Sequence, residues 1–183
     1  MTNDLSSSPC YAEDADDVYM GFAARDEIIA ALNELLEAER AGARVALASR
    51  KGAANTPYGA LMATVRADEA RWCAMLSRHL KQLGAMPSGK TGAFYAKAMA
   101  IPGALDRLAF LNRGQAWVVR KLEALAPRVR DDALHGDLRE MLDSHRINID
   151  RASAVLQANL APKNGGESPD RESQPNSKTL ERR

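Results

Sequence analysis

The sequence predicts an all-α protein built as a four-helix bundle. Its 183 residues are 45% hydrophobic and 27% charged, which is typical of one globular domain. Apolar side chains recur every three or four residues along four long segments, a spacing that places them on one face of a helix. Such helices bury their apolar faces most simply against one another. The segments are residues 25–50, 57–83, 102–126 and 131–160.

Local signals bound the first two helices. The apolar face of the first begins at Ile28, and Gly52 follows as a C-terminal stop. Thr56 supplies an N-cap hydroxyl to the second helix, and Pro57 suits the first helical position. Gly84 ends this helix. The connection between the two helices is short, so we expect an antiparallel hairpin.

Prolines and aspartates bound the third and fourth helices. Pro102 opens the third helix, which must close before Pro127 because proline lacks the N–H that a helix interior requires. Asp131 or Asp132 is the expected N-cap of the fourth helix, and Pro162 stops it. These two helices are also joined by a short connection, which predicts a second antiparallel hairpin.

The connection between the second and third helices, residues 84–101, is longer. It can cross the length of the bundle, so the second and third helices can run parallel. Its apolar stretch 94–100 can form a short helix. Residues 1–24 are acidic and Ser-rich, and residues 161–183 have almost no apolar side chains. Both ends are therefore expected to be loosely ordered, which leaves residues 25–160 as the bundle.

A polar side chain interrupts each apolar face near its middle. The four residues are Glu39, Glu69, Gln115 and His145. Each lies about 12 to 14 residues after the start of its helix, so the four fall at one level in a bundle of equal helices. Buried polar groups are costly unless they are paired or bound, and we therefore expect one shared internal site. Asn148, three residues after His145, shares its face.

This layout resembles bacterial ferritin-like, rubrerythrin-type domains of unknown function over residues 25–160. The segment Ala67-Asp-Glu-Ala-Arg-Trp72 is similar to the Asp-Glu-x-x-His segment of that family, with Trp at the His position. The segment Leu35-Leu-Glu-Ala-Glu-Arg40 is similar to the Glu segment of its first helix. The resemblance implies a site in which two helices supply one Glu each and two supply Glu-x-x-His pairs.

Several residues depart from that pattern. Glu39 and Glu69 match the first two carboxylates of the family, but Trp72 cannot bind metal, because its indole nitrogen only donates. The other departures are Gln115 and His145 at Glu positions and Asn148 at a His position. Two carboxylates supply too little charge for two iron ions. The resemblance therefore implies a degenerate di-iron site without ferroxidase or oxygen-activating chemistry.

Two interpretations of the polar cluster remain open. In the first, the protein is a non-catalytic scaffold or interaction protein, and His145 pairs with the two carboxylates in a metal-free network. In the second, Glu39, Glu69 and His145 hold one divalent iron, manganese or zinc ion, with the carbonyls of Gln115 or Asn148 completing the site. We favour the first, because such polar clusters are often structural. Two carboxylates with one imidazolium leave one negative charge that needs a proton or another cation.

Composition excludes other classes of function. The net charge of +1 gives no electrostatic basis for binding nucleic acid or an anionic membrane, and no apolar run reaches the roughly 20 residues of a membrane span. The first residues lack the layout of a signal peptide, so we expect a cytoplasmic protein. No phosphate loop or catalytic Ser-His-Asp set is present. The apolar segment 93–101 makes a homodimer possible, and the sequence names no other protein partner.

Overall fold

The computed structural model describes residue 18 and residues 20–160. Within these residues the chain forms five α-helices and one 3₁₀ turn, and no β-strand. The helices are α1 (Arg25–Ser49), α2 (Pro57–Gln82), α3 (Phe94–Met99), α4 (Ala104–Leu125) and α5 (Asp132–Leu160). The four long helices confirm the predicted fold class, and α3 confirms the short helix in the connection. The loosely ordered ends predicted at 1–24 and 161–183 lie outside the described residues, apart from 18 and 20–24.

Three helix ends follow the predicted local signals, whereas α4 begins at Ala104 with Gly103 as its N-cap, so the prediction that Pro102 opens this helix is wrong. Thr56 Oγ1 accepts a hydrogen bond from Gly59 N at 3.0 Å, which makes Thr56 the N-cap of α2. Asp131 Oδ1 accepts one from Leu134 N at 2.7 Å, so Asp131 rather than its neighbour caps α5. Gly84 adopts φ +67° just beyond α2, a left-handed conformation that suits glycine and closes the helix. Among the described residues, no helix combines the length and the hydropathy of a membrane span.

The helix directions follow from two apolar clusters. The first cluster joins the N-terminal halves of α1 and α5 to the C-terminal halves of α2 and α4; it includes Leu36, Leu76, Leu122 and Leu138. The second cluster joins the opposite halves; it includes Val45, Val65, Leu108 and Ala152. Both hairpins are therefore antiparallel, while α2 and α4 run parallel, as the long connection predicts. Because α1 and α5 each pack against α2 and α4, α1 lies diagonally opposite α5, and α2 lies opposite α4.

A polar layer separates the two apolar clusters. We use this name for Glu39, Glu69, Gln115 and His145, which are all buried, with at most 5% of each residue exposed. The short helix α3 packs against both α1 and α4. Its first residue, Phe94, stacks on Phe110 of α4 with ring centroids 4.8 Å apart. The connection therefore covers the seam between α1 and α4 close to the polar layer.

Candidate functional site

Hydrogen bonds cross the polar layer along both diagonals of the bundle. His145 Nε2 lies 3.2 Å from Glu39 Oε1 and joins α5 to α1. Gln115 Nε2 donates to Glu69 Oε1 and joins α4 to α2. The carboxyl groups of Glu39 and Glu69 are neighbours that influence each other's charge, so the two diagonals meet in one cluster. The structure thus brings together four of the five residues that the sequence indicates as candidate ligands.

The imidazole of His145 carries two protons in this network. Its Nδ1 lies 3.0 Å from the backbone oxygen of Met141, and a carbonyl only accepts, so Nδ1 donates. Its Nε2 faces the Glu39 carboxylate, which also calls for a donor. Burial opposes charge on the ring, but the charge and hydrogen bond of Glu39 raise the pKa of His145 above its ordinary value. Glu39 and His145 therefore form a buried ion pair.

The fold favours the neutral form of the second carboxyl of the layer, Glu69. Burial, the charge of Glu39 and the hydrogen bond to Glu39 raise the pKa of Glu69 well above its ordinary value, against the opposing effect of Gln115. Glu39 Oε2 is buried and receives no hydrogen bond from a nitrogen or hydroxyl donor. A proton thus neutralises the excess negative charge expected from the sequence.

Asn148 pairs with a residue beside the layer. It is 2% exposed, and its Nδ2 donates to Asp68 Oδ2 at 2.9 Å. Asn148 was predicted to lie with the other candidate ligands, but its side chain is hydrogen-bonded to Asp68, the residue before Glu69. Sequence reasoning missed Asp68, because it lies to one side of the apolar face of α2. The acidic pair Asp68-Glu69 is the signal that could have indicated it.

A glycine provides the space that the Glu69 carboxyl occupies. A Cβ atom built on Gly42 of α1 would overlap the carboxyl of Glu69. Sequence reasoning missed this residue as well. The available signal is its position, because glycine in the middle of a helix is unfavourable relative to alanine and needs a packing reason.

The floor of a cavity of about 490 Å³ is formed by the polar layer. The cavity lies between α1 and α4, beneath residues 91–94 of the connection, and reaches Glu39, Glu69 and Gln115. Its walls are mostly apolar and include Ala38, Phe94, Phe110, Leu111, Trp117 and Val118, while Glu34 and Glu37 add two acidic side chains. Arg113 and Arg120 also line it and are exposed, so the cavity opens to the surface beside them. The sequence contains no signal for this opening, because it arises from how α3 sits across the seam.

The di-iron centre of the family that the sequence resembles does not fit these residues. Burial and the neighbouring Glu39 raise the pKa of Glu69 and disfavour its charged form, Gln115 and Asn148 are neutral amides, and Trp72 packs within the first apolar cluster. Among the described residues, no three or more His, Cys, Asp or Glu side chains are arranged to hold a metal ion. Metal binding by Glu39, Glu69 and His145 therefore requires their side chains to rearrange.

A second polar group joins α2 to α5 outside the layer. His79 Nε2 and Arg78 Nη2 each lie 2.6 Å from Asp137 Oδ2. Burial would raise the pKa of Asp137, but hydrogen bonds from His79 and Arg78 lower it below its ordinary value. Sequence reasoning found no partner for His79, because Asp137 is 58 residues away along the chain. This group contributes an ion pair between α2 and α5.

Comparison with solved structures supports the fold. The chain matches the crystal structure of a two-domain protein from Anabaena variabilis that contains DJ-1/ThiJ/PfpI-like and ferritin-like domains. The TM-score is 0.61 at 12% sequence identity, covering 96% of this chain and 49% of that protein. The chain thus spans about half the length of that protein, and the likeness shows a ferritin-like fold alone.

Comparison with curated proteins found no match. Among protein families, a model described as Domain of unknown function (DUF6306) matches residues 26–154. The matched region contains all of the polar layer and both apolar clusters. Since it covers most of the chain, the protein belongs to the DUF6306 family.

Proposed function

We propose that the protein is a non-catalytic ferritin-like scaffold or interaction protein, in which a hydrogen-bonded polar layer stands in place of an intact di-iron centre. One observation carries this proposal. The atoms best suited to bind metal are engaged with one another across the two diagonals, His145 Nε2 with Glu39 Oε1 and Gln115 Nε2 with Glu69 Oε1. The same contacts give the layer a structural role that needs no ion.

That role is to fix the register of the four helices. The two diagonal pairs form together only when all four helices stand at one level. Sliding one helix by a turn moves its side chains by about 5.4 Å, which would separate Glu39 from His145 and leave buried charges without partners. Leaving one member of a buried pair uncompensated is strongly destabilising. The bundle is therefore held in one arrangement, as an interaction surface requires.

Metal analysis tests this proposal. The full chain, purified without a metal-affinity tag, should contain no stoichiometric iron, manganese or zinc when measured by inductively coupled plasma mass spectrometry. The Glu69→Gln variant should give the same result, as should a control, Glu140→Gln, which alters an exposed carboxylate paired with Arg71. An equivalent of metal in the wild type that Glu69→Gln loses and Glu140→Gln keeps would refute the proposal.

A mononuclear metal site is the second candidate. Three buried oxygen atoms of the predicted ligand set have no hydrogen-bond partner: Glu39 Oε2, Gln115 Oε1 and Asn148 Oδ1. Oxygen donors with one imidazole suit iron, manganese or zinc. Binding would require Glu69 to lose its proton. In this case the added ion would raise the melting temperature of the wild type and not of His145→Ala.

Two further expectations stay predictions. The first is a homodimer formed through residues 93–101. Part of this segment already packs inside the protein, because Ala98 of α3 is buried and Phe94 stacks on Phe110. The cytoplasmic location of a bacterial protein is the other.

A further inference from the structure

The cavity floor offers hydrogen-bond acceptors that lack donors. Glu39 Oε2 and Gln115 Oε1 are buried without a hydrogen-bond partner, and their residues are 0% and 5% exposed. Both residues line the cavity, together with Glu69. A buried acceptor without a partner costs free energy. A molecule that brings N–H donors to this floor would therefore form hydrogen bonds that the protein alone cannot make, and these would favour its binding.

The charges around the floor favour a cation. The layer has two carboxyls for one imidazole, so one further positive charge is needed to balance it, and an ammonium group can take the place of the proton on Glu69. The charged neighbours of Glu69 are Glu39 and Asp68, which are both acidic. The arginines that line the cavity, Arg113 and Arg120, are exposed and therefore lie at its mouth. An anionic group would meet carboxyls at the floor, whereas a cationic group would meet complementary charge.

The walls suit an apolar body. Phe94 and Phe110 are stacked at one side of the cavity, and Trp117, Leu111 and Val118 extend the apolar lining. The volume of about 490 Å³ falls within the range of small-molecule sites, which are mostly apolar with a few placed polar groups. The site therefore combines an apolar chamber with one acidic, acceptor-rich end.

We propose that this cavity binds a small primary amine in its ammonium form, with an apolar or aromatic body. The ammonium group has three N–H donors, and the floor presents the acceptors of Glu39 and Gln115 and, once its proton is released to solvent, the carboxylate of Glu69. The body of the ligand packs between α1 and α4 against Phe110 and Trp117. The inference rests on the proposed function, because a metal held by the same carboxyls would occupy the floor.

Calorimetric titration of the full chain with three matched probes tests the inference. The probes are 1-naphthylmethylamine, 1-naphthylmethanol and 1-naphthoate, which share an aromatic body and differ at the head. The amine should bind about tenfold more tightly than the alcohol, the gain expected from a charge-assisted hydrogen bond. The carboxylate should not bind. Equal binding of the amine and alcohol, or preference for the carboxylate, would overturn the inference.

Variants locate the binding. Glu69→Gln keeps a polar side chain of similar size, so it should remove most of the preference for the amine and leave alcohol binding unchanged. Ala38→Leu fills part of the cavity wall and should weaken both ligands. The control Glu140→Gln lies on the seam between α2 and α5, where it faces Arg71, and should bind as the wild type does. If a folded Ala38→Leu protein, checked by its melting curve, binds as well as the wild type, the cavity is not the site.

Metal analysis of the same preparation separates the two proposals. A metal-free protein that binds the three probes without preference would overturn this inference and leave the proposed function intact. A stoichiometric metal would overturn the proposed function, and this inference with it.

Discussion

Glu69 is the side chain whose chemistry the fold changes most clearly. It is 2% exposed, lies against Gly42, accepts a hydrogen bond from Gln115 and faces the carboxylate of Glu39. Each of these contacts is compatible with a neutral carboxyl, and only the hydrogen bond from Gln115 favours the charged form. Folding therefore favours the protonated form of this residue.

Stability should depend on pH through Glu69. In the unfolded chain an ordinary glutamate titrates near pH 4.3, about its unperturbed value, whereas in the folded protein the pKa of Glu69 is raised. Such a group stabilises the fold fully below its unfolded pKa, and this contribution is lost as pH rises through the folded pKa. Between the two pKa values, the loss is about 1.4 kcal/mol per pH unit. The Glu69→Gln variant should not show this loss of stability with pH, and it should be at least as stable as the wild type at neutral pH.

Urea unfolding at several values between about pH 4 and pH 8 measures this effect, because the window starts at the unfolded pKa of glutamate. The difference in unfolding free energy between Glu69→Gln and the wild type should grow with pH. For the exposed control Glu140→Gln, that difference should stay constant. A pH-independent difference for Glu69→Gln would show that the folded protein holds Glu69 no more tightly protonated than the unfolded chain does.

Cys73 should be chemically inert in the folded protein. Burial, followed by the neighbouring charge of Glu39, raises the pKa of Cys73 to about 12. The thiolate is the reactive form, so at pH 8 only about one thiol in ten thousand would be ionised. In a Cys10→Ser background, where Cys73 is the remaining cysteine, Ellman's reagent should react with the unfolded chain and hardly with the folded one. Equal rates would contradict the raised pKa.

At the scale of the helices, two glycines offer a matched comparison. Gly42 lies within α1 against the Glu69 carboxyl, whereas Gly136 lies within α5 with nothing within 4 Å of an added Cβ. Replacing a glycine in an exposed helix interior by alanine stabilises by up to about 1 kcal/mol. Gly136→Ala should therefore raise the unfolding free energy. Gly42→Ala should lower it by about 1–3 kcal/mol, the usual cost of overpacking.

Chemical denaturation of the two variants beside the wild type measures both effects. A restoring variant sharpens the comparison, because shortening the carboxyl side chain in Gly42→Ala/Glu69→Ala removes the overlap. If Gly42→Ala alone is as stabilising as Gly136→Ala, the Glu69 carboxyl does not pack against Gly42.

The helices themselves were largely predictable from sequence, because their signals are local. Thr56, Asp131 and Gly84 act at the ends that their residue types predict, and the apolar spacing identifies the buried faces. Pairing between helices is less accessible. His79 finds Asp137, and Asn148 finds Asp68, across 58 and 80 residues, and no local pattern specifies such partners.

For the whole molecule, the sequence predicts the bundle and the level of its polar layer, but not the internal arrangement of that layer. The four interruptions at similar depth indicate that Glu39, Glu69, Gln115 and His145 meet. Which carboxyl keeps a proton depends on distances among four helices, so it required the structure. The cavity required it too, because it depends on how Phe94 and the rest of the connection sit over α1 and α4.

Each of the two diagonal contacts of the layer joins one helical hairpin to the other. Sliding one hairpin past the other would stretch both contacts at once, so the layer opposes shear between the hairpins. The side between α1 and α4 also carries an ion pair, between Glu34 and Lys121, so the mouth of the cavity lies between two helices that are held in place.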